Sequence, residues 1–213
     1  MHLNLNRIVR WDTPLPREFL NPDEAAQRDE LADAARDGRW EHVFRHLEKH
    51  PHWANSVRLE GSRRYTPLHQ AAWHGAAPDV VERLLRYGAW RTLRNSAGKR
   101  PVDIAAEHGH DHLIQVLKPE IKHHVASEVL AGLQRNLYVL ISEYDRTAAT
   151  HLRLPELEVL TELDPPVYWI RVTGGSFIIE LRGCELYAEA RGKMDYGSSP
   201  PYRITPDRIY KPE

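Results

Sequence analysis

The sequence predicts an α+β protein: an α-solenoid of short paired helices, followed by a capping helix and a small antiparallel β-sheet. Three observations predict it. The segment from Tyr65 to Gly75, Tyr-Thr-Pro-Leu-His-Gln-Ala-Ala-Trp-His-Gly, is echoed from Lys99 to Gly109 as Lys-Arg-Pro-Val-Asp-Ile-Ala-Ala-Glu-His-Gly, with Pro67 and Pro101 34 residues apart. Beyond Pro119, Ile121, Val125, Val129, Leu133, Leu137 and Ile141 recur every four residues, the period of one helical face. From Leu154 the pattern turns to short β-rich runs separated by glycine turns.

The repeats come first because a fixed period decides the architecture. A looser third copy runs from Leu31 to Gly38, where Ala34-Ala35 and Gly38 stand as Ala71-Ala72 and Gly75 do, 37 residues on. Behind each glycine follows a second apolar helix, at Trp40 to Leu47, Val80 to Leu85 and Leu113 to Leu117. Thr66 caps the orphan amides of a helix whose first residue, Pro67, has no N–H to satisfy. The Ala-Ala pair lets neighbouring helices approach, and the glycine stops the helix by taking a left-handed conformation. Such a unit exposes an apolar face until it is stacked on its neighbours. Upstream, Asn21-Pro22-Asp23-Glu24 reads as an N-cap opening a helix that ends near Asp37.

On these motifs residues 25–118 resemble an ankyrin-repeat array. Thr66-Pro-Leu-His69 is the family signature, and Tyr87-Gly88-Ala89 resembles its helix-ending Gly-Ala. Arg100 and Val102-Asp103 depart from that signature in the third copy, as befits a capping unit, and Ala76-Ala77-Pro78 carries one extra residue. The whole chain resembles a set of uncharacterised bacterial ankyrin-repeat proteins with a helix and β-meander tail. The expected organisation is an N-terminal arm over 1–24, repeats over 25–118, and a helical cap plus antiparallel β domain over 119–213. Within the last, residues 167–172, 176–181, 185–191, 202–204 and 208–210 read as strands, and Gly174-Gly175 and Gly183-Cys184 as two-residue turns. The capping helix is either continuous or broken near Gly132.

Composition excludes several functions. Lys+Arg 29 against Asp+Glu 30 leaves a net charge of -1, so no global field draws the chain to nucleic acid or an anionic membrane. The single cysteine, Cys184, forms no internal disulfide, and no apolar run approaches a membrane span. A cytoplasmic protein is expected, a monomer when free, with its oligomeric state otherwise left open. His42, His46 and His50 share a helical face, yet His46 stands where the repeat has a core Leu and no acidic relay residue accompanies them, so neither metal nor other cofactor is expected. No nucleophile elbow or phosphate-cradling loop is present, and the carboxylates Glu156, Glu158, Glu162 and Asp164 read as a solvated rim. The protein is expected not to be an enzyme.

Charge gathers instead at the repeat junctions. Arg58, Glu60, Arg63 and Arg64, then Arg91, Arg94, Lys99 and Arg100, bring a net +6 to two loops. The ankyrin resemblance implies that these are finger loops stacked along one edge of a concave face. It also implies that the variable contact positions are Arg36, Asp37, Arg63, Tyr65, Trp73, His74, Ser96, Lys99, Glu107 and His108, to which the fingers add Arg94 and Arg100. Tyr65 and Trp73 have the area and rigidity of interface anchors. The function expected is binding of an acidic protein partner, in its sharpest form as an immunity or inhibitor protein against a toxin or effector enzyme. The alternatives are a regulatory adaptor or scaffold, or an enzyme or ligand site in the β domain.

Overall fold

Each first helix of the repeats begins where the sequence supplies a cap. In the computed structural model, which describes residues 9–11, 16–145, 153–192 and 200–212, α1 (Pro22–Arg36) starts behind Asn21, whose side chain accepts the Asp23 amide at 2.9 Å. Residues 1–8 and 12–15 of the expected arm, and Glu213, lie outside the described residues. The chain forms two units, Pro14–Glu120 and a second made of Met1–Thr13 with Ile121–Glu213.

In the first unit α1 pairs with α2 (Trp40–Lys49), α3 (Pro67–His74) with α4 (Pro78–Arg86), and α5 (Pro101–Glu107) with the short α6 (Ile114–Leu117). The inner helices α1, α3 and α5 lie side by side, close enough because Ala34, Ala35, Ala71, Ala72 and Ala105 present only methyl groups at the contact. Leu68, Val81, Leu84, Ile104, Leu113 and Leu117 fill the core between the two helix layers. Gly75 ends α3 at φ +58°, in the left-handed region that a side chain resists. Polar ties fix the stacking. Asn55 gives its Nδ2 to the Gly88 carbonyl at 2.8 Å and takes the Trp90 amide on Oδ1 at 2.8 Å.

The second unit is a six-stranded sheet whose strands neighbour one another in chain order, beginning with β1 (Val9–Trp11) at one edge. Strands β2 (Val167–Val172), β3 (Gly175–Arg182), β4 (Glu185–Gly192), β5 (Tyr202–Ile204) and β6 (Ile209–Tyr210) form the expected antiparallel meander. Helix α7 (Ser127–Tyr144) turns Leu133, Leu137, Leu140 and Ile141 inward and packs on β4 and β5.

Three features differ from expectation. Residues Val9–Trp11, assigned to the arm, form β1 and pair in parallel with β2, and the Trp11 indole donates to the Arg153 carbonyl at 2.8 Å. Three residues are too few for alternation to register, and their partner is remote in sequence. The first hairpin turns at Thr173-Gly174 rather than Gly174-Gly175. Gly175 opens β3 because a Cβ there would stand 2.2 Å from the Arg191 carbonyl oxygen. Helix α7 begins six residues after Ile121, since the Lys122 and His123 amides donate to the Thr161 carbonyl at 2.8 and 3.0 Å; of the two alternatives at Gly132 it takes the continuous one.

Candidate functional site

Helix α1, the loop 58–65 and helix α3 enclose an open groove of about 380 Å³. Its floor is helical: Asp33 and Arg36 stand one turn apart on α1, and Gln70 and Trp73 one turn apart on α3. The first finger closes it with Arg58, Arg63, Arg64 and Tyr65. Asp33 is its one carboxylate, bonded to Arg36 at 3.0 Å and to Arg58. Arg36 also meets Asp37 at 3.1 Å, and this bond, with that from Arg39, holds the Asp37 carboxyl below its usual range. Arg63 and Arg64 make no ion pair among the described residues. Arg64 sits at φ +53°, the one described non-glycine residue with positive φ. An L side chain there costs roughly 1 kcal/mol.

An aromatic row continues from the groove across α3 to α5. Tyr65 meets Trp73 edge-on with ring centroids 6.1 Å apart, and Trp73 meets His108 at 3.9 Å. Trp73 remains 42% exposed, so the wedge of its ring between helices is incomplete. His74 turns away: its Nε2 donates to the Arg36 carbonyl at 2.8 Å, which ties two repeats together. His110 does the same for the Trp73 carbonyl at 3.1 Å.

The second finger differs in charge from the first. The Asn95 side chain accepts the Ala97 and Lys99 amides at 2.9 and 3.0 Å and so shapes the loop tip. Ser96 is exposed, and its amide donates to the Arg63 carbonyl at 3.2 Å, setting the two fingers side by side. Lys99 reaches Glu107 at 2.6 Å, which raises the ammonium pKa, and Arg94 donates to the Gly98 carbonyl at 2.8 Å. Arg100 is half-buried, its amide given to Asp103 at 2.8 Å. Arg91 departs from the expected exposed ridge: it donates to the Val116 carbonyl at 3.0 Å and faces Glu120 at 3.4 Å. Glu60, for its part, pairs with Arg17 at 3.2 Å. The structure thus brings Arg63, Tyr65 and Trp73 into the groove. Arg94, Ser96, Lys99, Glu107 and His108 extend beyond it, while His74 is diverted to repeat packing. Sequence reasoning passed over Asp33 and Gln70, although both stand three residues from a named position on the same helix, the spacing of one face.

Of the three histidines expected on one face, His42 is exposed, while His46 and His50 face neighbouring side chains. His50 bonds Gln27 at 3.2 Å and stacks on Trp53 at 3.9 Å, while His46 lies 3.7 Å from Glu30. Among the described residues no group of three His, Cys, Asp or Glu side chains could hold a metal, and no helix is long and apolar enough to cross a membrane.

Stacked, capped helix pairs joined by paired fingers define a repeat scaffold. Residues 54–105 match the family described as "Ankyrin repeats (many copies)", so this part of the chain carries ankyrin repeats. It is 48% identical over 50 residues to "Ankyrin repeat and SOCS box protein 11" of Danio rerio, covering 24% of this chain and 17% of that protein. It is 30% identical over 128 residues to "Ankyrin repeat and SOCS box protein 16" of Homo sapiens, covering 53% and 25%. Over 91 residues it is 29% identical to "Squamosa promoter-binding-like protein 6" of Oryza sativa subsp. japonica, covering 39% and 9%. The chain therefore spans a quarter or less of the length of these curated relatives. Ankyrin repeats indicate a module for protein–protein interaction.

Proposed function

We propose that the protein is a non-enzymatic binding module that holds an acidic protein partner on the face formed by α1, α3, α5 and the two fingers. The observation that carries the reading is the exposed Trp73 beside Arg63 and Arg64, two guanidinium groups without carboxylate partners among the described residues. An exposed aromatic anchor next to unneutralised charge is the combination that interfaces concentrate their affinity in. Folding gains little from those charges, since exposed ion pairs contribute only ~0–1 kcal/mol. Recognition is the use left for them.

A photoreactive side chain at Ser96 or Glu107 should crosslink the partner in its native complex, and one at Glu82 on α4 should not. Crosslinking from Glu82 alone would move the interface to the outer helices and end this reading. With the purified partner, Trp73→Ala should speed dissociation and Arg94→Glu should slow association, the latter most at low salt. The inhibitor form of the reading makes one further demand: the partner is an enzyme whose activity falls when the complex forms.

A further inference from the structure

The groove at the first finger is more specific than a basic surface. Four arginines line it against a single carboxylate, and that carboxylate is already shared by Arg36 and Arg58. The two remaining cations, Arg63 and Arg64, are adjacent in sequence, and Arg64 is held in a left-handed conformation with no glycine to ease it. A strained backbone that delivers a guanidinium into a groove is a feature to explain by a ligand, because folding alone would favour glycine there. Arginine's planar fork matches the oxygens of carboxylate and phosphate in pairs. Charge decides between these. One carboxylate would leave one of the two cations without a partner, whereas a phosphate monoester carries about -1.5 to -2 at neutral pH and meets both. Trp73 and Tyr65, on the same groove, offer an apolar wall for the carbon stem that bears the anion.

We propose that this groove binds a phosphorylated side chain of the protein partner, with Arg63 and Arg64 on the phosphate and Trp73 against its stem. The proposal rests on the reading that the partner is a protein held on this face. The shared chemistry of the candidates is a side-chain oxyanion, and the test separates its sources.

The 213-residue chain would be titrated with phenyl phosphate, inorganic phosphate and benzoate while the amides of 61–65 and the Trp73 indole are followed by NMR. Phenyl phosphate should shift these signals and bind at least ~10-fold tighter than benzoate, as the second charge requires. Inorganic phosphate should bind more weakly than phenyl phosphate, because it lacks the stem. Arg63→Ala and Arg64→Gly should each lose most of the phenyl phosphate affinity. Arg64→Gly should leave the melting temperature unchanged or raised, since it releases the left-handed strain. Equal affinity for benzoate would overturn the phosphate in favour of a carboxylate. Equal affinity for inorganic phosphate would overturn the side-chain origin. If none of the probes moves the groove while the partner complex still depends on Trp73 and Arg94, this inference fails and the broader binding reading stands.

Discussion

The Nε2 of His69 lies 3.1 Å from the carbonyl oxygen of Lys99, so a ring anchored in the second repeat holds the base of the next finger. A carbonyl only accepts, so Nε2 carries the proton and Nδ1 is free to accept the Thr66 hydroxyl at 2.8 Å. The ring is fully buried and neutral, and burial lowers its pKa to about 4.

That depression has a sign. The unfolded chain, with His69 near its ordinary 6.5, binds a proton that the folded state refuses, so stability is full above pH 6.5 and is lost as pH falls toward about 4. The total is on the order of 3 kcal/mol. Urea midpoints of the parent should fall more steeply between pH 7 and 4.5 than those of His69→Gln. Parallel pH profiles would show that the ring is not the titrating group.

Asn55 bridges the loop after α2 to the end of α4 through both ends of its amide. Asn55→Ala should cost about 2 kcal/mol, because the Trp90 amide and the Gly88 carbonyl both lose their bond to this side chain. Chemical denaturation would measure it, and a loss below ~0.5 kcal/mol would mean that water replaces the side chain.

Gly75 and Gly109 both end inner helices with positive φ, +58° and +71°, but their surroundings differ. A Cβ on Gly75 would stand 2.5 Å from the His110 ring, and one on Gly109 meets nothing within 4 Å. Gly109→Ala should therefore cost ~1 kcal/mol for the backbone alone. Gly75→Ala should cost clearly more, since it also displaces the ring that bonds the Trp73 carbonyl. Equal losses by differential scanning calorimetry would contradict the contact.

Gly132 lies inside α7, where replacement by alanine ordinarily stabilises by ~1 kcal/mol. Here a Cβ would stand 2.9 Å from the Pro206 backbone, against which the Asn136 side chain also bonds at 3.2 Å. Gly132→Ala should lower the melting temperature. A rise would show that the β5–β6 turn yields without cost.

How much of this was legible in the sequence follows from the range of each signal. The helix starts at Asn21 and Thr66 and the strands at 167–172 and 202–204 stand where local chemistry puts them, because caps, prolines and alternation act within a few residues. The pairing of β1 with β2 was not legible, since hydrogen bonds between remote strands leave no local pattern in a three-residue segment. Gly132 read as a possible break when it is a contact, because nothing near it in sequence announces Pro206.

The candidate site divides in the same way. The residue types at the fingers, with Tyr65 and Trp73 beside them, were set by the sequence and its 34-residue period. Which of those charges remain available was decided by tertiary structure: Asp33 takes Arg58, Glu107 takes Lys99 and Glu120 faces Arg91, while Arg63 and Arg64 meet no acid among the described residues. Charge is additive along a sequence, but its effect depends on distance, and only the fold brings each acid within reach of its base.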